Sequence, residues 1–181
     1  IQVNKLVRTF DKETGKEIIS DLFIINDGAR KRFSNQSKYN EDFYTNSTII
    51  AESKGYFPNV IEDLSSDTLN VFMSRLDENI ILKNIYFDFD SYELSSDSKK
   101  YLSIISQWLG NNSFKEIQVS GHADNVGSNE YNYRLSEARA EAVVKFILSI
   151  DPTIKNIFYS GFGNSVPIRP NYDGPENRRI E

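Results

Sequence analysis

GHADNVGSNEYNYRLSEARAEAVVKF, residues 121–146, decides how this chain is read. A glycine-flanked acidic loop runs into a helix that carries Arg139 among alanines, and it poses a question: what needs an aspartate, Asp124, opposite that arginine? The helix is predicted from about Asn129 to Ser149, because Pro152 in "DPT" cannot continue it. Arg139 lies about ten residues into the helix, ~15 Å along its axis. The roughly five loop residues after Asp124 span a similar distance when extended, so the loop can fold back and bring the two charges together. Asn132, Leu135 and Arg139 follow i, i+3, i+7 spacing and form one stripe on the helix.

Outward from this stretch, strands and helices alternate. "NIYFDF" and "EIQVSGH" have strand character, and between them "SSDSKKYLSIISQWLG" places Leu102, Ile105 and Leu109 at helical spacing, with Gly110 where a C-cap belongs. "IKNIFYSGFG" is a third strand and "NRRIE" begins a fourth. Residues 81–181 therefore read as an α+β (α/β) layered domain, β-α-β-α-β, with helices on a mixed sheet. Residues 1–80 have another texture. Short β-rich runs, "KLVRTF", "DLFIIND", "STIIAESKGYF" and "TLNVFMSRL", alternate with polar turns such as "DKETGKE". In the last run Leu69, Val71 and Met73 share one face of a half-buried strand. The expectation for 1–80 is an all-β sandwich.

Composition narrows the function classes. The chain has 181 residues, 39% apolar, enough for a packed core without covalent staples. A net charge of −5, with neither sign gathered into blocks, argues against a nucleic-acid partner. The absence of cysteine removes disulfides, thiolate metal sites and a cysteine nucleophile, and fits an oxidising compartment. The longest apolar runs fall far short of the ~20 residues that cross a bilayer, so no membrane span is expected within the chain. No signal-peptide pattern is present, and a chain beginning at Ile1 reads as a fragment or processed form whose targeting segment is missing. There is no internal repeat.

Ser120, His122 and Asp124 contain the residue types of a hydrolytic triad, but strand residues two apart sit ~6.5 Å from each other, too far for direct hydrogen bonds. A histidine bonded to the loop that follows it is the plainer expectation. "DFDSYELSSDSK" opens like a calcium loop, yet Glu93 stands where glycine is needed and Lys99 where a bidentate glutamate is needed. One histidine and no cysteine leave no structural zinc set. A hydrolase working with a pair of carboxylates would need both placed, and nothing positions a second beside those of "DFD". Neither metal, cofactor nor catalytic residue is expected. Asp124 and Arg139 remain, with two readings: a plain ion pair closing the loop, or two charges kept slightly apart for a zwitterion, an ammonium on Asp124 and a carboxylate on Arg139.

Residues 81–181 resemble the OmpA C-terminal-like family, the peptidoglycan-binding domains of Gram-negative envelope proteins. The resemblance runs in order through "NIYFDFDSYEL", "IQVSGHADNVGSNEYN", "LSEARAEAV", "SGFGNSVPI" and "NRRIE". It implies a ligand, the meso-diaminopimelate of the stem peptide, gripped by Asp124 and Arg139, with further contacts at Phe89, Asp90, Asn125, Asn132, Leu135 and Arg178. It also implies a periplasmic, outer-membrane-associated location and cell-wall anchoring without catalysis. The alternative is a structural domain for protein assembly with Asp124 and Arg139 as an internal ion pair. Two positions depart from the family pattern: Ala123 replaces a threonine in "GHTD", and Pro175-Glu176 stands in the "GRAxNRR" segment, where a glutamate would repel a bound carboxylate. Residues 1–80 resemble carboxypeptidase-regulatory-like β-sandwiches through "DKETGKEIISDLFIIND" and "SKGYF", which implies an envelope protein as their partner.

Overall fold

The structure, a computed structural model, describes residues 1–77, 79–82, 85, 87, 90–170 and 175–181. They form two compact units, Ile1–Ile80 and Ile81–Glu181.

The first unit is all β: β1 (Gln2–Asp11), β2 (Ser20–Asn26), β3 (Ala29–Gln36), β4 (Lys38–Tyr44), β5 (Thr48–Glu52), β6 (Asn59–Ile61) and β7 (Thr68–Met73). One sheet has the order β4-β1-β7 and the other β3-β2-β5-β6. β1 runs parallel to β7 and antiparallel to β4, so the first sheet is mixed. Period-2 alternation sends Leu69, Val71 and Met73 inward, where they join Val7, Tyr39 and Phe43 of their own sheet and Leu22, Ile24, Ile49 and Ala51 of the other in one core cluster. The two-residue turn between β2 and β3 puts Asp27 at φ 45° and Gly28 at φ 80°, the positive values such a hairpin demands. The "DKETGKE" turn is organised by Asp11, which is only 2% exposed. Its carboxylate accepts from the Thr14 amide at 2.7 Å, the Tyr56 hydroxyl at 2.7 Å and Arg75 Nε at 2.7 Å. Those donors, the Thr14 amide foremost, hold the carboxyl well below the usual carboxylate range.

The second unit contains α1 (Ser96–Gly110), β8 (Ile117–Gly121), α2 (Asn129–Ile150), β9 (Ile157–Gly161) and a 3-10 turn, Pro175–Asn177. The Ser95 hydroxyl caps α1 by accepting from Ser98 N at 3.1 Å, and the helix buries Tyr101, Leu102, Ile105, Trp108 and Leu109. Gly110 is not the C-cap its type predicts. It is the last helical residue, and Asn111, at φ −84°, caps the helix. The space beside it is filled by the Asp151 carboxylate, whose Oδ2 would lie 1.9 Å from a Cβ at Gly110.

β8 and β9 pair in parallel, Ile117 with Ile157 through Gly121 with Gly161. The fourth strand expected from "NRRIE" shrinks to a bridge between Gly121 and Ile180, because the 3-10 turn occupies the residues just before it. Ser120 and Glu181 nevertheless exchange two backbone hydrogen bonds at 2.8 and 2.9 Å, so 179–181 flanks β8 antiparallel and the sheet is mixed. The expected first strand, "NIYFDF", falls on residues 84–89, of which only Ile85 and Phe87 are described. α2 lies directly on the β8–β9 pair. A Cβ at Gly121 would meet Ser136 O at 2.0 Å, and one at Gly161 would meet Glu137 N and Tyr133 O at 2.6 Å. Those two register-paired glycines therefore bring helix backbone onto strand backbone. Among the described residues no helix is long and apolar enough to cross a membrane.

Candidate functional site

The loop leaving β8 is pinned on three sides. His122 N donates to Arg179 O at 2.9 Å, Ala123 N to Gly163 O at 2.7 Å, and Asn132 Nδ2, from the first turn of α2, to Asp124 O at 3.1 Å. Asn132 is buried at 2% exposure, which explains an amide on the inner face of the helix. Asp124 is thereby set at 6% exposure with both carboxylate oxygens engaged. One accepts from Val126 N at 3.0 Å and the other from Arg178 Nη1 at 2.6 Å.

Arg139, only 7% exposed, projects from the buried face of α2. Its Nε donates to Ser91 O at 2.9 Å, and its guanidinium carbon stands 5.0 Å from the centre of the Phe87 ring. Burial pushes the guanidinium pKa down. Tyr131, Asp124 and Asp90 oppose that shift and Arg178 adds to it. Asp124 and Arg139 thus feel each other's charge but are not bonded to each other. The internal Asp124–Arg139 ion pair of the alternative reading is not formed; the ion partner of Asp124 is Arg178. Segment 179–181 runs antiparallel beside β8, which delivers Arg178 to the end of the strand where Asp124 begins.

Asp90 is exposed, at φ 53°, and accepts from the Tyr131 hydroxyl, which raises the Tyr131 pKa. Asn125 is exposed and its Oδ1 accepts from Asn164 Nδ2 at 3.3 Å, while Leu135 is half-buried on α2. Phe89 lies outside the described residues. The structure therefore bonds Asn132 and Arg178 to Asp124 and leaves Arg139 within reach of the charges of Asp124, Arg178 and Asp90, the last bonded to Tyr131. Sequence reasoning missed Ser91, Phe87 and Tyr131 as partners of these groups. Strand alternation from Phe89 could have pointed to Phe87, but a backbone carbonyl such as that of Ser91 carries no sequence signal.

Both departures from the family pattern are accommodated. Ala123 is 4% exposed and its amide is already bonded. Glu176 is exposed and lies 3.6 Å from Arg169 Nη1, which balances its charge. The buried Asn177 braces the neighbouring loop, its Oδ1 accepting from Ile168 N at 2.9 Å and Arg169 N at 3.1 Å.

His122 does not bond the following loop through its ring, as expected of it. Neither ring nitrogen makes a hydrogen bond among the described residues. The ring stacks on Phe162 at 5.4 Å between centroids, and Nε2 stands 3.5 Å from Glu181 Oε2. Burial, and then the Arg179 charge, push its pKa down against the opposing pull of Glu181. With Asp124 held by Val126 and Arg178, Ser120, His122 and Asp124 share no side-chain hydrogen bonds and form no triad. Among the described residues no group of His, Cys, Asp and Glu stands together as a metal site.

The OmpA family model matches residues 86–181. The chain belongs to that family. It is 30% identical over 128 residues to the peptidoglycan-associated lipoprotein of Buchnera aphidicola subsp. Baizongia pistaciae (strain Bp), covering 71% of this chain and 69% of that one. It is 34% identical over 84 residues to the peptidoglycan-associated lipoprotein of Brucella melitensis biotype 1, covering 46% of this chain and 50% of that one. The chain thus spans only half the length of the Brucella protein. In fold alone, it is similar to the solved C-terminal domain of Helicobacter pylori MotB, at 21% identity and a TM-score of 0.50 over 57% of this chain and 82% of that one.

Proposed function

We propose that residues 81–181 bind peptidoglycan non-covalently through the meso-diaminopimelate of the stem peptide and anchor an outer-membrane or periplasmic assembly to the cell wall. The observation that carries this reading is a buried carboxylate and a buried guanidinium, Asp124 and Arg139, that are near enough to interact yet bonded to other groups instead of to each other. An arriving carboxylate gains a charge-assisted, bidentate partner at Arg139, where burial has already removed much of the competing water. The ligand ammonium is received by Asp124. Arg178, whose side chain is 47% exposed, can swing off the Asp124 carboxylate as the ammonium replaces it. Asn132 holds the Asp124 loop in register, and Asp90, Asn125, Leu135 and Phe89 complete the rim.

The names of the curated relatives support the substrate class, and the charge geometry supports the end group. The action is retention, with no bond made or broken. A single site gives modest affinity, but the wall is a polymer and several copies in one assembly add by avidity. Residues 1–80 are read as a carboxypeptidase-regulatory-like β-sandwich that contacts an envelope partner, consistent with the two-sheet core of that unit.

Co-sedimentation with diaminopimelate-type cell wall tests this, comparing wild type with Asp124→Ala and Arg139→Ala, each checked for folding by its thermal melt. Wild type should pellet while both folded variants stay in solution. Equal pelleting of all three, or none, overturns the site and leaves Asp124–Arg178 as a structural ion pair.

A further inference from the structure

A second surface adjoins the charged site. Asn164 Nδ2 donates to Asn125 Oδ1 at 3.3 Å and to Asn129 Oδ1 at 3.2 Å, so the residue after Asp124 is tied to the loop that follows β9. That loop and the start of α2 enclose an open groove of about 510 Å³, lined by Asn129, Glu130, Tyr133, Phe162, Asn164 and Ser165.

Its walls combine two aromatic rings with unspent amide groups. Tyr133 is 48% exposed and Phe162 39%. Phe162 is fixed as a platform because its ring stacks on the buried His122 ring. Among the described residues Asn129 engages only Oδ1 and Asn164 only Nδ2, which leaves an amide donor and a carbonyl acceptor in the same groove. The Ser165 hydroxyl donates to Phe162 O at 2.6 Å, so its oxygen lone pairs remain available. The groove is also preformed. Gly163 N donates to Ser136 Oγ at 2.9 Å and Gly163 O accepts from Ala123 N at 2.7 Å, pinning the loop to α2 and to the Asp124 loop. Glycine at this point, φ 52°, lets the chain approach helix backbone, since a Cβ would meet Tyr133 N at 2.9 Å.

We infer that this groove takes an N-acetylated amino sugar of the glycan strand, so that the wall is held through sugar as well as peptide. Aromatic faces pack against the C–H face of a pyranose ring, and side-chain amides match its hydroxyl and acetamido groups. The reach is adequate: a short peptide link of three extended residues spans about 10 Å, while the groove begins one residue and one hydrogen bond from Asp124. An open groove, in place of a closed pocket, also lets a polymer pass through. The inference rests on the peptidoglycan reading above.

Calorimetry with three probes tests it: a diaminopimelate-containing tripeptide, the same tripeptide joined to its amino-sugar disaccharide, and peptide-free glycan strands. Wild type should bind the disaccharide-peptide about five- to thirtyfold more tightly than the bare peptide, the scale of one or two aromatic contacts. Tyr133→Ser and Ser165→Ala, both at exposed residues of the groove, should cut that gain to about twofold or less and leave bare-peptide affinity unchanged. If the sugar adds nothing in wild type, or both variants keep the gain, the groove assignment falls and a protein partner becomes the occupant to seek. If glycan strands bind in a Tyr133-dependent way but the tripeptide does not, the Asp124–Arg139 reading falls and the groove assignment stands.

Discussion

Gly121→Ala should unfold or severely loosen the second unit, although it adds one methyl group. The new Cβ would lie 2.0 Å from Ser136 O, 2.8 Å from Ser136 C and 3.3 Å from Ser136 Cα. All three are backbone atoms, so no rotamer change relieves the clash. To restore ordinary contact at 3.4 Å, α2 must retreat from the sheet by roughly 1.4 Å. That retreat loosens the packing of Ala140, Val143, Val144 and Ile147, which the helix buries. Overpacking in a core costs about 1–3 kcal/mol, occasionally more, and a clash with helix backbone belongs at the upper end. About 3 kcal/mol lowers the Tm of a domain of ~100 residues by about 12–24 °C. The assay is intrinsic fluorescence during thermal melting, because the single tryptophan, Trp108, is buried in α1 of this unit, with its ring 5.3 Å from Phe114. The transition it reports is that of the second unit. α2 also carries Asn132 and Arg139, so any folded fraction should retain less cell wall. A Tm within about 4 °C of wild type would refute the close-approach argument.

Three further outcomes follow from the charges. His122 has a lowered pKa when folded, so the unfolded chain takes up a proton that the folded one resists. Its contribution to stability is complete above the ordinary histidine value of about 6.5 and is lost as pH falls below it, and His122→Gln should flatten that slope in denaturant midpoints followed by Trp108 fluorescence. Asp11 has a lowered pKa, so its support of the first unit is present above about pH 4 and lost as pH falls further. Asp11→Asn should remove this acid sensitivity and lower the melting temperature seen by far-ultraviolet circular dichroism. Peptidoglycan with lysine in place of diaminopimelate lacks the terminal carboxylate, so retention should drop about 10- to 100-fold in co-sedimentation, the scale of one charge-assisted hydrogen-bond pair. Equal retention on both wall types would sink the zwitterion mechanism.

Local patterns were legible in the sequence. Helical spacing located α1 and α2, and α2 ends one residue beyond the predicted Ser149. Period-2 alternation identified the inward face of β7. Residue type also singled out Asp124 and Arg139, both of which prove to be buried charges. The illegible parts depend on pairings between distant segments. Nothing near Asp124 in sequence announces Arg178, because that contact exists only once 179–181 lies beside β8. Gly110 misled for a related reason: it does not cap its own helix, and the space its missing side chain leaves is taken by Asp151 from the far end of α2. The His122 ring could not be foreseen without bonds, since stacking on Phe162 and approach to Glu181 both come from across the sheet.

The sheet of the second unit has a further consequence, for how fast it forms. β8 pairs with β9 only after α2 has intervened, and Ser120 pairs with Glu181 only after nearly all of the unit has been laid down. Between these partners there is no hairpin to start from, whereas the first unit has the tight β2–β3 hairpin. Closing such long loops before any contact rewards them makes folding slow. The first unit shares the constraint where β1 waits for β7, so neither sheet completes early, and until its partners arrive each leaves apolar strands open to proteases and to one another.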